Sequence, residues 1–174
     1  EQRPRLTNEE VMARCPWATF GKLKHRGPNI VTSLELDPAE MEKRNIHLQQ
    51  KYAEIEEKEV RYEEIHCDDA EYLIVAFGSC ARIAQKAMEE ARAEGIKVGL
   101  LRPITLWPFP SKAIAERSRQ VKGILTVELN AGQMVEDVRL AVECKVPVEY
   151  FGRLGGIVPD PDEVVTALKE KIIK

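Results

Sequence analysis

Three short stretches carry residue types from which a binding or catalytic site can be assembled. The first is Phe77-Gly78-Ser79-Cys80-Ala81-Arg82. Glycine, then a hydroxyl, then an arginine three residues later, fits a helix start whose free backbone N–H groups hold an anion, with Arg82 adding charge. It fits equally a tight strand-to-helix turn capped by Ser79. The stretch lacks both the G-x-G-x-x-G and the phosphate-loop patterns, so nucleotide binding has little support. The second stretch is Glu128-Leu129-Asn130-Ala131-Gly132-Gln133-Met134. Glu128 and Asn130 read as an acid–amide pair at a strand end, or as a polar turn with Asn130 as N-cap and Gly132 permitting close approach. The neighbouring Glu136 and Asp137 are adjacent on a helix and point apart, so they form no carboxylate dyad. The third is Gly152-Arg153-Leu154-Gly155-Gly156. Its glycines allow unusual backbone angles, and Arg153 can grip a carboxylate or phosphate bidentately or serve as a surface arginine of a crossover loop.

The remaining chemistry-bearing residues are scattered. His25, His47 and His66 fall on a loop, a charged helix and an edge strand, and no Ser/His/Asp order or H-E-x-x-H motif occurs. Cys15, Cys67, Cys80 and Cys144 lie far apart, without zinc or iron–sulfur spacing, as in a reduced cytoplasmic protein. The residues thus offer no catalytic constellation and no metal site. The expected anion contacts are Gly78, Ser79, Arg82 and Arg153.

The elements that must position these stretches are legible from pattern. Residues 1–36 read as an irregular docking segment punctuated by Pro4, Pro16, Pro28, Gly21 and Gly27, with Cys15, Trp17 and Phe20 as apolar anchors. Within it Lys22, Lys24, His25 and Arg26 form a local basic cluster, either a solvated loop or an anion contact. Residues 37–59 read as a charged amphipathic helix. Asp37 caps it, Pro38 opens it and Glu40 completes a capping box. Met41, Leu48 and Ile55 make a narrow stripe, with Asn45 and Tyr52 between them. Glu40 with Arg44 and Glu54 with Lys58 stand at i,i+4 spacing. The stripe either covers the domain's own core or reaches another subunit.

Residues 60–174 alternate strands and helices. Val60–His66 is a mixed edge strand, and Tyr72–Phe77, Ile96–Leu101, Ile124–Leu129 and Val146–Phe151 are apolar strands. Helices are expected from Ser79 to a C-terminal Gly95, over Ser111–Gln120, over Gly132–Glu143, and after the Asp160-Pro161-Glu163 start signal. The alternation predicts a three-layer α/β/α Rossmann-like domain around a mainly parallel sheet of about five strands. Ligands of such sheets sit beyond the carboxyl ends of the strands, where Gly78-Ser79, Arg102-Pro103, Glu128-Leu129-Asn130 and Gly152-Arg153 predict a polar rim.

Bulk properties bound the function. The 174 residues carry a net charge of -3 and a pI near 5.8, so no global basic field draws nucleic acid. No apolar run approaches the roughly 20 residues of a membrane helix, and no signal peptide precedes the first motif. The chain opens at Glu1 without a methionine and is read as a fragment or as a chain whose start is missing.

The strings VAFGSCARIAQKAMEEARAEGIKVGLLRPITLWPFP, VELNAGQMVEDVRLAV and FGRLGGIVPDPDEV resemble, in order and spacing, the C-terminal region of 2-oxoacid:ferredoxin oxidoreductase α subunits, most closely the 2-oxoisovalerate (branched-chain) type. The resemblance runs from about Gly21 onward. It implies a transketolase C-terminal-like fold with one edge strand antiparallel, Val60–His66 being the candidate. It implies a complex that oxidatively decarboxylates a 2-oxoacid, forms an acyl-coenzyme A and reduces ferredoxin. The expected partners are a thiamine-binding β subunit and γ and ferredoxin-like subunits, in an oligomeric assembly without nucleic acid or membrane. Thiamine diphosphate, magnesium and iron–sulfur clusters are expected on those other domains, since no G-D-G…N-N thiamine motif and no cysteine cluster occurs here. No catalytic residue is carried over, and the segment alone is expected to be inactive. The alternative is a phosphate- or coenzyme A-binding Rossmann-like module; a third reading, a stand-alone enzyme of another class, needs a nucleophile, base or metal set that does not converge.

Overall fold

The computed structural model describes residues 5–17, 27–28 and 32–173. The basic cluster at Lys22–Arg26, Phe20, Gly21 and Pro4 lie outside the described residues. The chain divides into two compact units, Glu1–Asn45 and Ile46–Lys174.

The first unit is less irregular than its prolines suggest. Helix α1 spans Asn8–Arg14 and opens on a capping box. Glu10 N donates to Thr7 Oγ1 at 3.2 Å, and Thr7 N donates to Glu10 Oε2 at 2.8 Å. The signal is local (a threonine followed three residues later by glutamate) and was hidden by the punctuation around it. Trp17 is largely exposed. Helix α2, Pro38–Lys58, begins as its sequence requires: Asp37 Oδ1 accepts from Ala39 N at 2.8 Å and Glu40 N at 3.0 Å. Glu40 does not close the box; it pairs with Lys43, and Arg44 turns instead to Glu35 at 3.3 Å. Glu54 and Lys58 pair as their spacing implies. No residue of α2 is buried, though Met41, Leu48 and Ile55 are half-buried along the stripe.

The second unit holds five strands: β1 Tyr62–Ile65, β2 Tyr72–Ala76, β3 Val98–Pro103, β4 Ile124–Glu128 and β5 Val148–Gly152. Their order is β1-β3-β2-β4-β5, all parallel except β1, which runs antiparallel to β3 with Tyr62 opposite Pro103. The mixed pattern of β1 fits its edge position. Strand pairing alternates faces strictly. Ile74, Ala76, Leu100, Leu125 and Val127 face helices α3 (Gly78–Ala93) and α6 (Pro161–Leu168). Leu73, Val75, Leu101 and Ile124 face α4 (Ser111–Arg117) and α5 (Met134–Val142). Burial on both faces is why these strands read as unbroken apolar runs. A five-residue π-turn, Lys169–Ile173, follows α6.

Helix ends follow local chemistry in most places. Gly95 takes the left-handed φ of +90° after α3; its N–H bonds Arg92 O and that of Ile96 bonds Ala91 O. That is the paired bonding of a Schellman end, with Ile96 packed on the core beneath it. At α6, Asp160 N donates to Glu163 Oε2 at 3.0 Å, as the cap–Pro–Glu signal implies.

The turn between β1 and β2 is tied down by arginines from neighbouring elements. Arg117 grips Glu64 with two bonds, 2.9 and 2.6 Å, and Asp68 at 3.0 Å. Arg92 bonds Asp69, His66 O and Val98 O. Beneath lies Cys67, its thiol donating toward Leu100 O at 3.4 Å. Burial, and secondly the charge of Glu64, push this thiol from its ordinary 9.0 up to about 11. A raised native value stabilises the fold below the unfolded value and loses that contribution as pH rises. Stability should therefore fall between pH 9 and 11, and Cys67→Ala should remove that part of the fall, as read from urea midpoints across the window. A slope unchanged by the substitution would refute the assignment.

Candidate functional site

The strand order reverses between β2 and β4, and in open α/β sheets the crevice at such a reversal is where ligands sit. Two of the three stretches singled out from sequence flank it. The Gly78–Arg82 turn leaves β2, the Glu128–Met134 turn leaves β4, and Arg153 follows β5 next door.

The centre of the second turn is Glu128, whose side chain is fully buried. Its Oε2 accepts from Met134 N at 2.8 Å, Gln133 N at 3.2 Å and Asn130 Nδ2 at 3.2 Å, and its Oε1 from Val135 N at 2.9 Å. The acid–amide pair expected from sequence therefore exists, but it faces inward. Asn130 is not the N-cap. Residue Gln133 holds that position without a side-chain bond, and Glu128, arriving from the strand, satisfies the first amides of α5 instead. Asn130 Oδ1 closes the turn on Gly132 N at 2.7 Å. Gly132, at φ +99°, provides the close approach expected of it, since a Cβ there meets Val135 Cγ1 at 3.2 Å and the Tyr150 ring at 3.6 Å. Tyr150 donates its hydroxyl to Asn130 O.

Two members of this cluster were not singled out for it from sequence. Cys80, in the first turn of α3, is buried, and its thiol is pushed up by burial and then by the charge of Glu128. Tyr150 is raised by the same two causes and by Cys80. They come together only through the pairing of β4 with β5 and the docking of α3, so no local spacing announces them. A thiol and a phenol held in their protonated forms, beside a carboxylate with four donors, make a structural knot rather than a nucleophile–base pair.

The first turn differs from expectation in its cap. Gly78 adopts φ +56° and α3 begins there, after Phe77, with no side-chain cap. The left-handed glycine makes the bend one residue early, which places Ser79 inside the first turn and exposed, not at the cap. Arg82 is exposed. Arg153 is paired with Glu163 at 2.5 Å. Among the described residues no group of three or more His, Cys, Asp and Glu is placed to hold a metal, and no helix is long and apolar enough to cross a membrane.

The rim is less polar than its sequence suggests. Glu128 is buried, Arg102 bonds Glu63 at 3.1 Å while its Nε finds no partner, and Arg153 bonds Glu163. Beside the exposed Ser79, Arg82 and Gln133, apolar side chains also stand out: Leu129 after β4, Ile104, Leu106 and Trp107 after β3, and Ile157 and Val158 after β5. Tyr52 of α2 meets Trp107 edge to face, with ring centroids 5.6 Å apart.

The layered sheet with one antiparallel edge is a transketolase C-terminal-like Rossmann fold. Its solved neighbours include 2-oxoglutarate:ferredoxin oxidoreductase from Magnetococcus marinus, with a TM-score of 0.70 at 24% identity over 84% of this chain and 27% of that one. A split-gene transketolase matches at a TM-score of 0.56 and 22% identity over 63% of this chain and 40% of that one. Residues 70–164 match the pyruvate:ferredoxin oxidoreductase core domain II family, and the chain belongs to it. The ketoisovalerate oxidoreductase subunit VorB of Methanothermobacter thermautotrophicus is 49% identical over 165 residues, 93% of this chain and 46% of that protein. The 2-oxoglutarate synthase subunit KorA of Methanothermobacter marburgensis is 33% identical over 101 residues, 58% of this chain and 27% of that protein. The chain thus spans about half the length, or less, of the relatives it matches. The sequence resemblance holds at the level of the 2-oxoacid:ferredoxin oxidoreductases.

Glu128 gives the site its sharpest test. Each buried amide left without an acceptor costs about 1–3 kcal/mol, so Glu128→Ala should lower stability by about 3 kcal/mol or more. The fall should appear as a shifted urea midpoint with an unchanged slope. A loss below about 1 kcal/mol would show that water or a neighbour replaces the carboxylate.

Proposed function

We propose that this chain is an assembly domain of a thiamine-diphosphate-dependent 2-oxoacid:ferredoxin oxidoreductase of the branched-chain type, oxidising 2-oxoisovalerate to its acyl-coenzyme A with ferredoxin as acceptor. The observation that carries the reading is the 49% identity over 165 residues to a ketoisovalerate oxidoreductase subunit. Its subunit is the counterpart of the relatives named VorB, not of a subunit named α. Residues 60–174 form the domain proper, with the 37–59 helix and the 1–36 segment leading to it and docking on neighbours. The β, γ and ferredoxin-like subunits of an oligomeric complex are its partners, and the complex is cytoplasmic. Thiamine diphosphate, magnesium and the iron–sulfur clusters belong to other domains or subunits. The residues here do not fit them: the cysteines stand singly, and Cys67 and Cys80 are held as thiols by burial.

The full-length protein assembled with its other subunits should reduce ferredoxin with coenzyme A and 2-oxoisovalerate, with kcat/KM about tenfold or more above that for pyruvate, which lacks two carbons of pocket fit, and above that for 2-oxoglutarate, whose second carboxylate an apolar pocket rejects. Residues 1–174 alone should show no turnover. Turnover by the isolated chain, or a preference for 2-oxoglutarate, would overturn the reading.

A second reading places coenzyme A, or another phosphate-bearing ligand, on the Gly78–Arg82 turn. It is favoured by the start of α3, where Gly78 bends the backbone and no side chain caps the helix. Calorimetry on the assembled complex separates the two. Under this second reading Arg82→Ala weakens coenzyme A binding about tenfold, the size of one charge-assisted bond. Unchanged heats would dismiss it.

A further inference from the structure

Strand β1 and the turn that follows it carry charge of one sign. Residues 62–70 hold four carboxylates, Glu63, Glu64, Asp68 and Asp69, and no Lys or Arg. Left to themselves these groups repel one another. Each is met by an arginine, and every one of those arginines belongs to another element. Arg102 of β3 takes Glu63 at 3.1 Å. Arg117 of α4 takes Glu64 through two bonds and Asp68 through one. Arg92 of α3 takes Asp69 and also bonds the carbonyls of His66 and Val98. Helices α3 and α4 cover opposite faces of the sheet, so a single turn is fastened from both. The Arg117 and Glu64 side chains are only 20% and 26% exposed, and their forked pairing is the geometry in which such a contact holds.

Apolar attachment is slight by comparison. Strand β1 is four residues long, stands at the sheet edge with β3 as its neighbour, and exposes three of its residues. Ile65 is its contribution to the core, and the turn adds Cys67 and Ala70. The turn rests on Gly99, where a Cβ would meet His66 O at 2.9 Å, Cys67 Cα at 3.0 Å and Ala70 Cβ at 3.1 Å. His66 holds φ at +52°, an uncommon angle outside glycine. The far end of the turn is firm: Glu71 N and Tyr72 N both donate to Lys97 O, and Glu71 O accepts from Lys122 N. A short edge piece with few buried apolar groups, held mostly by charge, lies at the low end of local stability.

We propose that residues 62–70 form a flap latched by Arg92, Arg102 and Arg117, that it lifts about its firm end at Glu71 while the four parallel strands stay folded, and that Cys67 is a cryptic thiol reached only when the flap is up. The carboxylates travel with the flap and the arginines stay with the body, so one opening breaks the whole set of pairs and unties α3 from α4.

Alkylation of the full-length protein by N-ethylmaleimide, read peptide by peptide at Cys67 and Cys80, tests this. Both thiols are 3% exposed, but Cys80 lies in the first turn of α3 within the core and is reached only by wider unfolding. Cys67 should react about tenfold or more faster than Cys80, since the slow reaction of a covered group tracks the population of its open form. Arg117→Gln and Arg92→Gln should each speed Cys67 about tenfold further and leave Cys80 unchanged, as the loss of charge-assisted bonds at the turn alone implies. Lys145→Gln, which removes an ion pair with Glu143 away from the turn, should alter neither rate. Should Arg117→Gln fail to fold, Arg117→Lys keeps the charge, loses the fork and reads the same latch; the wild-type comparison stands without either. Equal rates at Cys67 and Cys80 in the wild type overturn the proposal, because the turn then opens only with the whole domain. Arginine variants that speed both thiols together, or neither, overturn it as well.

Discussion

A parallel strand that is covered on both faces must end somewhere, and its last polar groups have nowhere to go unless the chain provides for them. At β4 the provision is Glu128. One carboxylate takes up the amides of Met134 and Val135 in α5, that of the capping Gln133 and the side-chain amide of Asn130, and so joins the sheet to the helix that covers it. The electrostatics agree in direction: a negative group at a helix start is favoured, and the low-dielectric surroundings strengthen each bond while raising the cost of losing one. Cys80 and Tyr150 owe their protonated state largely to the burial that makes the arrangement possible. The turn from Leu129 to Gly132 is shaped from within by the same group.

This join also explains why the crevice at the strand reversal is not a ready catalytic pocket. In many sheets of this kind a helix start at that position meets a ligand's anion. Here the helix after β4 meets an anion supplied by its own chain. At this turn the domain has spent a buried carboxylate on its own helix.

Much of the fold was legible because its determinants are local or periodic. Tyr72–Ala76 and Ile124–Glu128 were visible as apolar runs, and Asp37 and Asp160 announced their helices because a cap acts within three residues. Gly95 was legible for the same reason. The misreadings of Asn130 and of the rim share one cause, distance along the chain. The cap of α5 comes from a residue five to seven positions earlier, across a turn, so Asn130 was credited with work done by Glu128. Ser79 lost its capping place to the backbone angle of Gly78. The rim looked polar because Arg102, Glu128 and Arg153 stand in it, and only the fold reveals Glu63 and Glu163 as partners of the arginines. The capping box of α1 was local and still missed, since the prolines around it argued for irregularity. The cluster of Cys80, Glu128 and Tyr150 had no signal short of the strand register.

The outer margin of β5 has a consequence of its own. Its carbonyls at Pro147 and Glu149 point to β4, where Ile124 N and Thr126 Oγ1 bond them. Those at Val148 and Tyr150 point away and are met by Arg139 at 3.2 Å and Lys171 at 2.7 Å. Two cations thus sit where an incoming chain would have to place its amides, and they belong to helix and tail segments that also fill the space. At the opposite margin, Arg61 O accepts Ile104 N, so antiparallel alternation leaves the main-chain groups of Tyr62 and Glu64 turned outward. The sheet is therefore closed to further ladder growth on its β5 flank and open on its β1 flank, over a span of only four residues.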